Sequence, residues 1–439
     1  MKVCKFGGSS LSDGRQFAKV KSIIESDPDR SIVVVSAPGR RFSKDNKVTD
    51  LLYLSHAHLK YDVPFDNVIE MIKERYTAIK NECHLSFDIE GEIDKAFEGV
   101  SKKTSVDYIA SRGEYLNALL MAEYLGFRFV DAADWMTFKY DGSVDFAKTE
   151  EKLKDIVGVY GHIVTPGFYG CLPSGDVKVF SRGGSDITGA IAAASIDAEM
   201  YENWTDVSGI LMTDPRIVDN PHSIPRVTYA ELREMSYMGA SVLHEDTVFP
   251  VRNKDIPVNI RNTNLPEAPG TIIRERFEEN NDIENKRFIT GITGVKDFSI
   301  VNIYKSHLEN KIALLRKVLG ICEKFGISVE NIPGGVDCFS LVVPTRELKP
   351  VKYDFLSALR EECTLDDAYV TDGISLIAIV GRQMAYRTGI SGKIFAALGE
   401  NGINIRTIEQ SSDEISILVG VYTEDFNKAI RVLYDSFAR

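Results

Sequence analysis

The first residues that could carry chemistry lie near the N-terminus, in the segment Lys5-Phe6-Gly7-Gly8-Ser9-Ser10. A glycine pair directly after a strand lets backbone N–H groups approach an anion closely, and the start of the next helix adds partial positive charge. Lys5 supplies a full positive charge. The patterns GxxxxGK[ST] and GxGxxG are absent, so neither of these nucleotide loops is predicted. The segment indicates an anion site, unless it is only a turn beside a surface lysine.

A second segment of this kind, Ser181-Arg182-Gly183-Gly184-Ser185-Asp186, opens a predicted helix after a strand. Backbone amides, hydroxyl groups and an arginine meet there, and Arg182 could bind a carboxylate through two parallel hydrogen bonds. Ser185 or Asp186 could instead only cap the helix. Capping alone would not need two glycines and an arginine, so a binding role is favoured.

Two turn-rich segments, Thr205-Asp206-Val207-Ser208-Gly209-Ile210 and Thr213-Asp214-Pro215-Arg216, follow another predicted strand. Asp206 could accept a hydrogen bond from a nucleotide or lie near a metal ion, and Arg216 could bind a phosphate. The same residues could equally form an ordinary loop.

The segment Ser111-Arg112-Gly113-Glu114 lies inside a helical pattern. A glycine there lowers helix stability, which suggests close packing or a ligand. Glu114 could also be no more than a solvated surface charge.

The elements around these segments predict an open α/β sandwich. The apolar run at residues 31–36 suits a strand that is buried on both faces of a parallel sheet. Strands that alternate with crossover helices build such a sheet with helices on both faces. Further strands are predicted at residues 2–6, 127–131, 161–165, 178–180 and 200–204, and helices near residues 14–24, 106–125 and from 186.

Length and composition limit the possible classes of protein. A chain of 439 residues predicts about three domains. A net charge of −12 argues against general binding to nucleic acids or anionic membranes, although a local basic pocket stays possible. The six cysteines form no CxxC pair, which argues against a zinc ribbon or a redox motif, and the seven histidines form no HExxH motif. No residue is assigned as a metal ligand.

The N-terminus and the hydropathy predict a cytoplasmic protein. Met1 runs into a short mixed strand, so no signal peptide is expected. No run approaches 18 apolar residues, so no transmembrane helix is expected. The scattered cysteines suit a reducing compartment.

The composition changes near residue 263, and a charged, asparagine-rich stretch predicts a domain boundary at about residues 275–288. Beyond it, Phe325-Gly326-Ile327-Ser328-Val329 is repeated as Asn401-Gly402-Ile403-Asn404-Ile405, an offset of 76 residues. A helical pattern precedes each copy and a strand follows it. We therefore predict two β-α-β-β modules of one type, which could form a ligand-sensing interface.

Taken together, the segments resemble those of the aspartate kinases in the amino-acid kinase family, along nearly the whole chain. Residues 5–10 are similar to the family's KFGG[TS]S opening, residues 111–114 to its S-x-GE motif and residues 182–186 to its RGGSD motif. The C-terminal repeat resembles paired ACT domains. Further similar segments lie at residues 36–39, 167–170, 205–216, 242–244 and 256–258.

The resemblance implies a three-layer α/β/α kinase domain with a mostly parallel sheet at residues 1–285. Two α+β ferredoxin-like ACT domains would follow at residues 286–370 and 371–439. It also implies transfer of the γ-phosphate of ATP, with Mg²⁺, to the side-chain carboxylate of L-aspartate, the first step of lysine, threonine and methionine biosynthesis. ACT domains in similar proteins pair across subunits, so a homodimer or homotetramer is expected.

Site residues carry over from the family by position. The resemblance implies that Lys5 and Asp186 are catalytic, that Arg182 binds the α-carboxylate of aspartate and that Glu114 helps to place its α-ammonium group. Asp186 would orient Lys5 or the substrate amine. The phosphates and the nucleotide would be bound by Lys5, Gly7, Gly8, Ser9, Thr205, Asp206 and Arg216, and aspartate by Ser36, Thr49, Glu114, Phe168, Arg182, Ser185 and Asp186.

The predicted reaction needs positive charge rather than a general base. The side-chain carboxylate of aspartate has a reference pKa of about 3.9 and is ionised at pH 7. Two unit charges about 4 Å apart interact by roughly 1 kcal/mol in water and about 4 kcal/mol at an effective dielectric constant of 20. Lys5, the glycine amides and Mg²⁺ would supply the compensating charge.

The sequence departs from the family pattern in the segment that usually reads GAKVLHP. Ser241 replaces its lysine, an ATP contact, and Glu245 replaces its proline. The stretch between Gly39 and Thr49 is unusually basic. Either a neighbouring cation replaces the lost lysine, or the affinity for the nucleotide is weaker.

The ACT pair predicts feedback control by an amino acid, lysine or threonine. The effector site is expected at Ser328, Val329 and Glu330, near residues 306–310. Glu330 could receive a lysine ammonium group, which favours lysine, but it could equally be a solvated charge.

Three alternatives compete with this interpretation. Kinases of the same fold that act on glutamate, acetylglutamate or UMP lack the tandem ACT tail. A non-catalytic amino-acid sensor with a degenerate kinase domain is supported only by Ser241. A bifunctional enzyme is not expected, because the chain ends shortly after the second ACT module.

Overall fold

The computed structural model describes residues 1–181, 183–240, 243, 245–277, 288–306, 311–382, 384, 388–410 and 415–438. The chain divides into two compact units. The first comprises Met1–Ile210, Ser223–Tyr229 and Val242–Phe277, and the second comprises Leu211–His222, Ala230–Ser241 and Glu278–Arg439.

Twelve strands precede residue 275 in the described part of the chain, and eight of them form the main sheet of the first unit. They are β1 (Lys2–Phe6), β2 (Arg30–Val35), β3 (Arg128–Phe129), β4 (Ile163–Pro166), β5 (Tyr169–Cys171), β6 (Val177–Val179), β7 (Met200–Thr205), β8 (Ile210–Leu211), β9 (Ser223–Ile224), β10 (Arg226–Thr228), β11 (Val258–Asn262) and β12 (Thr271–Arg274).

The main sheet has the strand order β10-β12-β11-β7-β1-β2-β4-β3. Neighbouring strands are parallel except at the β11–β12 pair, which is antiparallel. All six residues of β2 are buried, as expected for a strand covered on both faces. The mostly parallel α/β sheet predicted from the sequence is therefore confirmed.

Helices surround this sheet. The side chain of Asp13 caps the first helix by accepting from the backbone N–H of Gln16, and Ser105 caps the fifth by accepting from that of Tyr108. The helices of this unit are α1 (Gly14–Glu25), α2 (Val48–Lys60), α3 (Asp66–Glu82), α4 (Ile89–Phe97), α5 (Val106–Leu125), α6 (Ala132–Trp135), α7 (Phe146–Tyr160), α8 (Gly184–Ser195) and α10 (Phe249–Arg252). All but the first residue of α9 (Tyr229–Tyr237) belongs to the second unit.

Two helical layers enclose the sheet. Cys4 and Phe6 of β1 belong to one apolar core with buried residues of α1, α2, α3 and α5. Because side chains alternate along a strand, Lys5 points to the opposite face, where α8 packs against β1, β2 and β7. This alternation directs the charged side chain of Lys5 towards the start of α8.

The second unit contains an antiparallel sheet of five strands in the order β14-β13-β15-β17-β16. The strands are β13 (Gly291–Tyr304), β14 (Cys338–Pro344), β15 (Asp367–Val380), β16 (Ile405–Gln410) and β17 (Ser416–Tyr422). The helices are α11 (Lys311–Phe325), α12 (Thr345–Leu348), α13 (Lys352–Cys363), α14 (Ile390–Glu400) and α15 (Phe426–Phe437).

The two long strands β13 and β15 run through both halves of this sheet. Residues 291–295 pair with residues 376–380, and residues 298–304 pair with residues 367–374, with an irregularity between the two stretches. The predicted boundary between residues 370 and 371 falls inside β15. Because β15 runs through both halves of the sheet, it does not mark a break between them, and the domain boundaries at residues 285 and 370 stay predictions.

Several predicted strands differ from the structure. The strand predicted at residues 127–131 is reduced to Arg128–Phe129. The one predicted near residue 178 lies outside the main sheet and pairs with β5 in a hairpin. After α11, in the stretch 311–382, Asn331 and Gly334 form only isolated bridges to β14, so the first copy of the repeat lacks the strand that β16 provides in the second.

Within the described ranges, no helix combines the length and the apolar character needed to cross a bilayer.

Candidate active site

Lys5 and Asp186 form an ion pair between β1 and the first turn of α8. Their atoms Nζ and Oδ1 lie 2.7 Å apart. Asn203 of β7 donates a hydrogen bond from Nδ2 to the same Oδ1 atom over 2.8 Å. Lys5 is buried, whereas about a quarter of the Asp186 side chain is exposed. The pair predicted to be catalytic is thus brought together.

The predicted phosphate turn follows β1 directly. The backbone N–H of Gly7 donates to the carbonyl oxygen of Trp204 over 3.0 Å, and that of Gly39 donates to Gly8 over 2.7 Å. A Cβ atom on Gly8 would lie only 2.8 Å from the carbonyl oxygen of Ala37, so this position requires glycine. A short 3₁₀ helix, Gly8–Leu11, then contains Ser9.

A hydrogen-bonded network connects α5, α8 and the end of β2. Ser185 donates to Oε1 of Glu114 over 2.7 Å, and the hydroxyl group of Ser36 donates to that of Ser185 over 3.0 Å. Asn117, one turn after Glu114, donates from Nδ2 to the carbonyl oxygen of Ser36 over 2.7 Å. Three predicted aspartate-binding residues therefore meet at one place.

Glu114 is a buried carboxyl group rather than a solvated surface charge. Burial raises its pKa to about 8, although the hydrogen bond from Ser185 and the positive charge of Lys5 partly oppose this shift. Its second oxygen, Oε2, makes no hydrogen bond of good geometry with the described residues, although the backbone N–H groups of Ala37 and Gly167 lie near the carboxyl group and also lower its pKa. A buried acceptor of this kind suits a donor-rich ligand group such as an ammonium.

Close packing around Glu114 explains the glycines near it. A Cβ atom on Gly167 would lie 2.8 Å from Oε2 of Glu114 and 2.8 Å from Cα of Ser185. A Cβ atom on Gly113 would lie 2.8 Å from Cδ1 of Leu52 in α2. The Gly113 position inside α5 is thus explained by the approach of α2, which also carries Thr49 in its first turn.

Phe168 has a backbone φ of 74°, a conformation that residues other than glycine rarely adopt. Its N–H donates to Oγ1 of Thr188 over 3.0 Å, and a Cβ atom on Gly184 would lie 2.5 Å from its ring. The ring therefore packs against the start of α8. This strained backbone at the edge of the site fits its predicted role beside the substrate.

The residues predicted to contact the nucleotide fall in both units. Thr205 ends β7 and donates to the exposed Asp206 over 3.2 Å. In the second unit, the exposed Arg216 binds Asp214 through several hydrogen bonds, the shortest 2.6 Å, and thereby lowers the pKa of the Asp214 carboxyl group. The nucleotide contacts stay predictions.

Arg182 and Ser241 lie outside the described residues, and so does the side chain of Glu245. Their predicted roles, an α-carboxylate contact for Arg182 and a changed nucleotide contact at Ser241, stay predictions.

The basic stretch after Gly39 is held in place by the carboxylate of Asp45 and by the buried Arg75. Arg41 binds Asp45 over 2.9 Å, and Arg75 binds the same carboxylate over 3.0 Å. Arg75 also donates to the carbonyl oxygen of Gly39 over 2.6 Å. Arg41 and Arg75 therefore stabilise the loop that carries Gly39 to the phosphate turn.

The predicted effector residues lie in the second unit. The backbone N–H of Ser328 donates to Glu347 over 2.8 Å, and Val329 packs on the apolar core between α11 and β14. Oε2 of Glu330 accepts from the hydroxyl group of Tyr237, which raises the pKa of Tyr237 to about 12. Residues 307–310 of the neighbouring loop lie outside the described residues.

Sequence reasoning missed Asn203 and Asn117. The signal for Asn203 was a polar residue inside a strand that should be apolar on both faces. The signal for Asn117 was its position one helical turn after Glu114.

No group of three His, Cys, Asp or Glu side chains in the described ranges is arranged to hold a metal ion.

Comparisons with known proteins identify the class. A model of the amino acid kinase family matches residues 1–262, and an ACT domain model matches residues 377–437. The chain is 35% identical to Aspartokinase 3 of Bacillus subtilis over 452 residues, covering all of this chain and 98% of that protein.

Solved structures agree. Aspartate kinase of Clostridium acetobutylicum is 47% identical, with a TM-score of 0.93 and full coverage of both chains. E. coli aspartokinase III in complex with aspartate and ADP is 25% identical, with a TM-score of 0.73 and full coverage of both chains. The complex of the same enzyme with lysine and aspartate is 26% identical, with a TM-score of 0.75 and full coverage of both chains.

The chain therefore belongs to the amino acid kinase family and, within it, to the aspartate kinases that carry ACT domains. The resemblance, the fold class and the enzyme class predicted from the sequence are confirmed. The alternative of a non-catalytic sensor is not supported, because these relatives are kinases over the full length of the chain.

Proposed function

We propose that this protein transfers the γ-phosphate of ATP to the side-chain carboxylate of L-aspartate and forms 4-phospho-L-aspartate. The reaction is the first step of lysine, threonine and methionine biosynthesis. The observation that carries the proposal is the ion pair of Lys5 and Asp186 beside the network of Glu114, Ser185 and Ser36. Lys5 provides positive charge for a phosphate, and the network provides polar groups for an amino acid.

Lys5 acts on the transferring phosphate in this proposal. A Cβ atom on Gly7 would lie 3.5 Å from Nζ of Lys5, so the ammonium group lies above the glycine turn. A phosphate on this turn would meet the ammonium group together with the turn amides that follow Gly7, since the N–H of Gly7 itself donates to Trp204. Such fixed charge stabilises the transition state, because it does not have to reorganise as the phosphate moves.

Glu114 and the two serines bind the amino group and orient the substrate. Oε2 of Glu114 would accept from the substrate ammonium group. The hydroxyl groups of Ser36 and Ser185, which donate to Ser185 and Glu114 in the structure, would turn to donate to the substrate carboxylates. Arg182 would bind the α-carboxylate. Thr49 and Phe168 would line the same site.

The nucleotide would be held by Ser9, Thr205, Asp206 and Arg216. With Ser241 at the family's lysine position, the nucleotide lacks one cation. We expect a weaker affinity for ATP than in relatives that keep this lysine.

Mg²⁺ fits this site as an ion that enters with ATP. Mg²⁺ is commonly bound by one or two carboxylates together with phosphate oxygens and water, rather than by a cage of protein ligands. The described residues offer no such cage, but Asp206 is an exposed carboxylate beside the predicted nucleotide site. The ion would neutralise charge on the phosphates.

The ACT region would bind an effector amino acid, with lysine favoured over threonine. Ser328, Val329 and Glu330 are the proposed contacts, and Glu330 would receive the lysine ammonium group. The E. coli complex with lysine and aspartate, described as a T-state, supports lysine as a ligand of this type of kinase. We also propose that the protein forms a homodimer or homotetramer in the cytoplasm.

Formation of aspartyl hydroxamate tests the proposed activity. The purified protein is incubated with ATP, Mg²⁺ and hydroxylamine, with L-aspartate, L-glutamate or no amino acid. Of the three mixtures, we expect product only in the one with aspartate, and less of it when millimolar lysine or threonine is added. Equal product with glutamate, or none with aspartate, would contradict the proposed substrate; no response to lysine or threonine would contradict the proposed regulation.

A further inference from the structure

We infer that Asn203 is a positioning residue that holds Oδ1 of Asp186 against the ammonium group of Lys5. The inference rests on the proposed function, since that function gives Lys5 and Asp186 their roles in phosphoryl transfer. It adds a residue that contacts neither phosphate nor aspartate and acts through Asp186.

Asn203 is an unexpected residue at its place in the fold. It lies in β7, between β1 and β11 in a mostly parallel sheet, where strands are usually apolar on both faces. Only 4% of it is exposed. A buried amide is retained where it makes a specific hydrogen bond, because leaving it unpaired is costly. The side-chain amide of Asn203 makes this hydrogen bond to Asp186.

The register of the sheet explains why Asn203 and Lys5 reach one atom. In the parallel pair of β1 and β7, Lys5 and Asn203 are direct partners, so their side chains leave the sheet on the same face. Both extend to the first turn of α8. Nζ of Lys5 lies 2.7 Å and Nδ2 of Asn203 lies 2.8 Å from Oδ1 of Asp186. A carboxylate oxygen can accept both.

A second residue of β7 fixes the backbone of Asp186. Tyr201 lies on the same face as Asn203 and donates from its hydroxyl group to the carbonyl oxygen of Asp186 over 3.1 Å. α8 approaches the strand closely, because a Cβ atom on Gly189 would lie 2.6 Å from the Tyr201 ring. Because Tyr201 holds the backbone of Asp186, the hydrogen bond from Asn203 orients the Asp186 side chain.

The neutrality of Asn203 is part of the inference. The amide donates to Asp186 without adding charge, so Lys5 keeps its attraction for phosphate. A carboxylate at this position would add a negative charge beside that of Asp186. The charged and titratable groups around such a carboxylate would be Lys5 from β1, Asp186 from α8 and the buried Tyr201 of β7. Glu114 from α5 interacts with Lys5.

The test compares two variants of Asn203 with a control. Asn203→Leu keeps the branched shape of the side chain, with two slightly larger methyl groups in place of the amide oxygen and nitrogen, and removes the donor. We expect kcat to fall about 10- to 100-fold, with the KM values for ATP and aspartate within about threefold. In Asn203→Asp, two neighbouring carboxyl groups raise the pKa of one of them. Its kcat relative to wild type should therefore rise as the pH falls, since a protonated carboxyl can donate to Asp186 as the amide does.

Asn259→Ala is the matched control. Asn259 is a buried asparagine of the adjacent strand β11, and its register partner is Glu202 rather than Asn203. In the described part of the chain, Asn259 forms no side-chain hydrogen bond with Lys5 or Asp186. We expect this variant to lower the melting temperature without changing the pH profile of kcat.

Three results would overturn the inference: a kcat of Asn203→Leu within twofold of wild type, an equal loss in Asn259→Ala, or a pH profile of Asn203→Asp parallel to wild type. A crystal structure of Asn203→Leu separates this inference from the proposed function. If Asp186 still contacts Lys5 there as in wild type, the positioning role fails whatever the chain phosphorylates. If wild type forms no aspartyl hydroxamate but Asp186 turns away in the variant, only the proposed function fails.

Discussion

The hydroxyl group of Ser185 donates a hydrogen bond of 2.7 Å to Oε1 of Glu114 and so connects the first turn of α8 to the middle of α5. This contact joins the two sequence motifs that were assigned to aspartate. It also fixes one oxygen of a buried carboxyl group, while the other makes no hydrogen bond of good geometry with the described residues.

Aspartate binding should therefore depend on pH through Glu114. Its pKa is raised to about 8, mainly by burial, so in the free protein most of it is protonated below that pH. An ammonium group needs the carboxylate form. We expect KM for aspartate to fall as the pH rises from 6.5 to 8.5, by up to about tenfold per pH unit below pH 8.

Glu114→Gln should raise this KM and flatten its pH profile. Glu123→Gln, at an exposed position of the same helix, should leave the profile as in wild type. A wild-type KM that is constant over this pH range would contradict the assignment of Glu114.

The same group should make the protein less stable as the pH rises. Because the folded-state pKa of Glu114 is about 8 and its ordinary value is 4.5, the folded chain binds a proton that the unfolded chain releases between these values. The stabilisation is complete below pH 4.5 and is lost as the pH rises through 8. Urea unfolding of wild type and Glu114→Gln should show a smaller loss in the variant across this range.

Removing the charge of Lys5 should reduce catalysis more than binding. For Lys5→Ala we expect kcat to fall by about 10²–10³-fold, as when one fixed transition-state donor is removed, with much smaller changes in KM. Lys2→Ala is the control, since Lys2 lies on the same strand and pairs with Asp27 over 2.7 Å. Near-normal turnover of Lys5→Ala would contradict its role.

Arg182→Ala should weaken aspartate binding and leave ATP binding unchanged, because Arg182 is assigned to the α-carboxylate. Loss of a charge-assisted hydrogen bond costs about 1.5–3 kcal/mol, or roughly 10- to 150-fold in KM for aspartate. Arg15→Ala, at an exposed position, serves as the control. If equilibrium binding of the variant showed a weaker affinity for ATP instead, the assignment of Arg182 to the aspartate site rather than the ATP site would be wrong.

Gly167→Ala should disturb the aspartate site by steric contact alone. The new Cβ atom would meet Oε2 of Glu114 and Cα of Ser185 at 2.8 Å, and such overpacking costs about 1–3 kcal/mol of unfolding free energy. We expect a higher KM for aspartate and a lower melting temperature. Gly158→Ala in α7 meets no atom within 4 Å and should stabilise the helix by up to about 1 kcal/mol. Equal effects of the two substitutions would contradict this account.

Glu330→Ala should raise the lysine concentration needed for half-maximal inhibition at least tenfold, because an ammonium group loses its carboxylate. Tyr237→Phe removes the hydroxyl group that binds Glu330 and should change the lysine response less. Glu323→Ala, at an exposed position of α11, is the control. An unchanged lysine response of Glu330→Ala would place the effector elsewhere.

The parts of this fold that could be predicted from sequence are those with local signals. The apolar run of β2, the cap at Ser105 and the glycine turn after Lys5 each depend on neighbours in the chain. The two long strands of the second unit could not be predicted this way. The pairing of residues 291–295 with residues 376–380 joins parts of the chain that no local pattern relates.

The sequence by itself determined the family, the order of the motifs and the sign of the charge in the site, because residue types and their local spacing carry that information. Only the tertiary structure decided that Glu114 is buried, and that Asn203 and Lys5 share one oxygen of Asp186. The physical reason is that desolvation and strand register arise when distant segments pack together. Neither can be obtained from the order of residues along one segment.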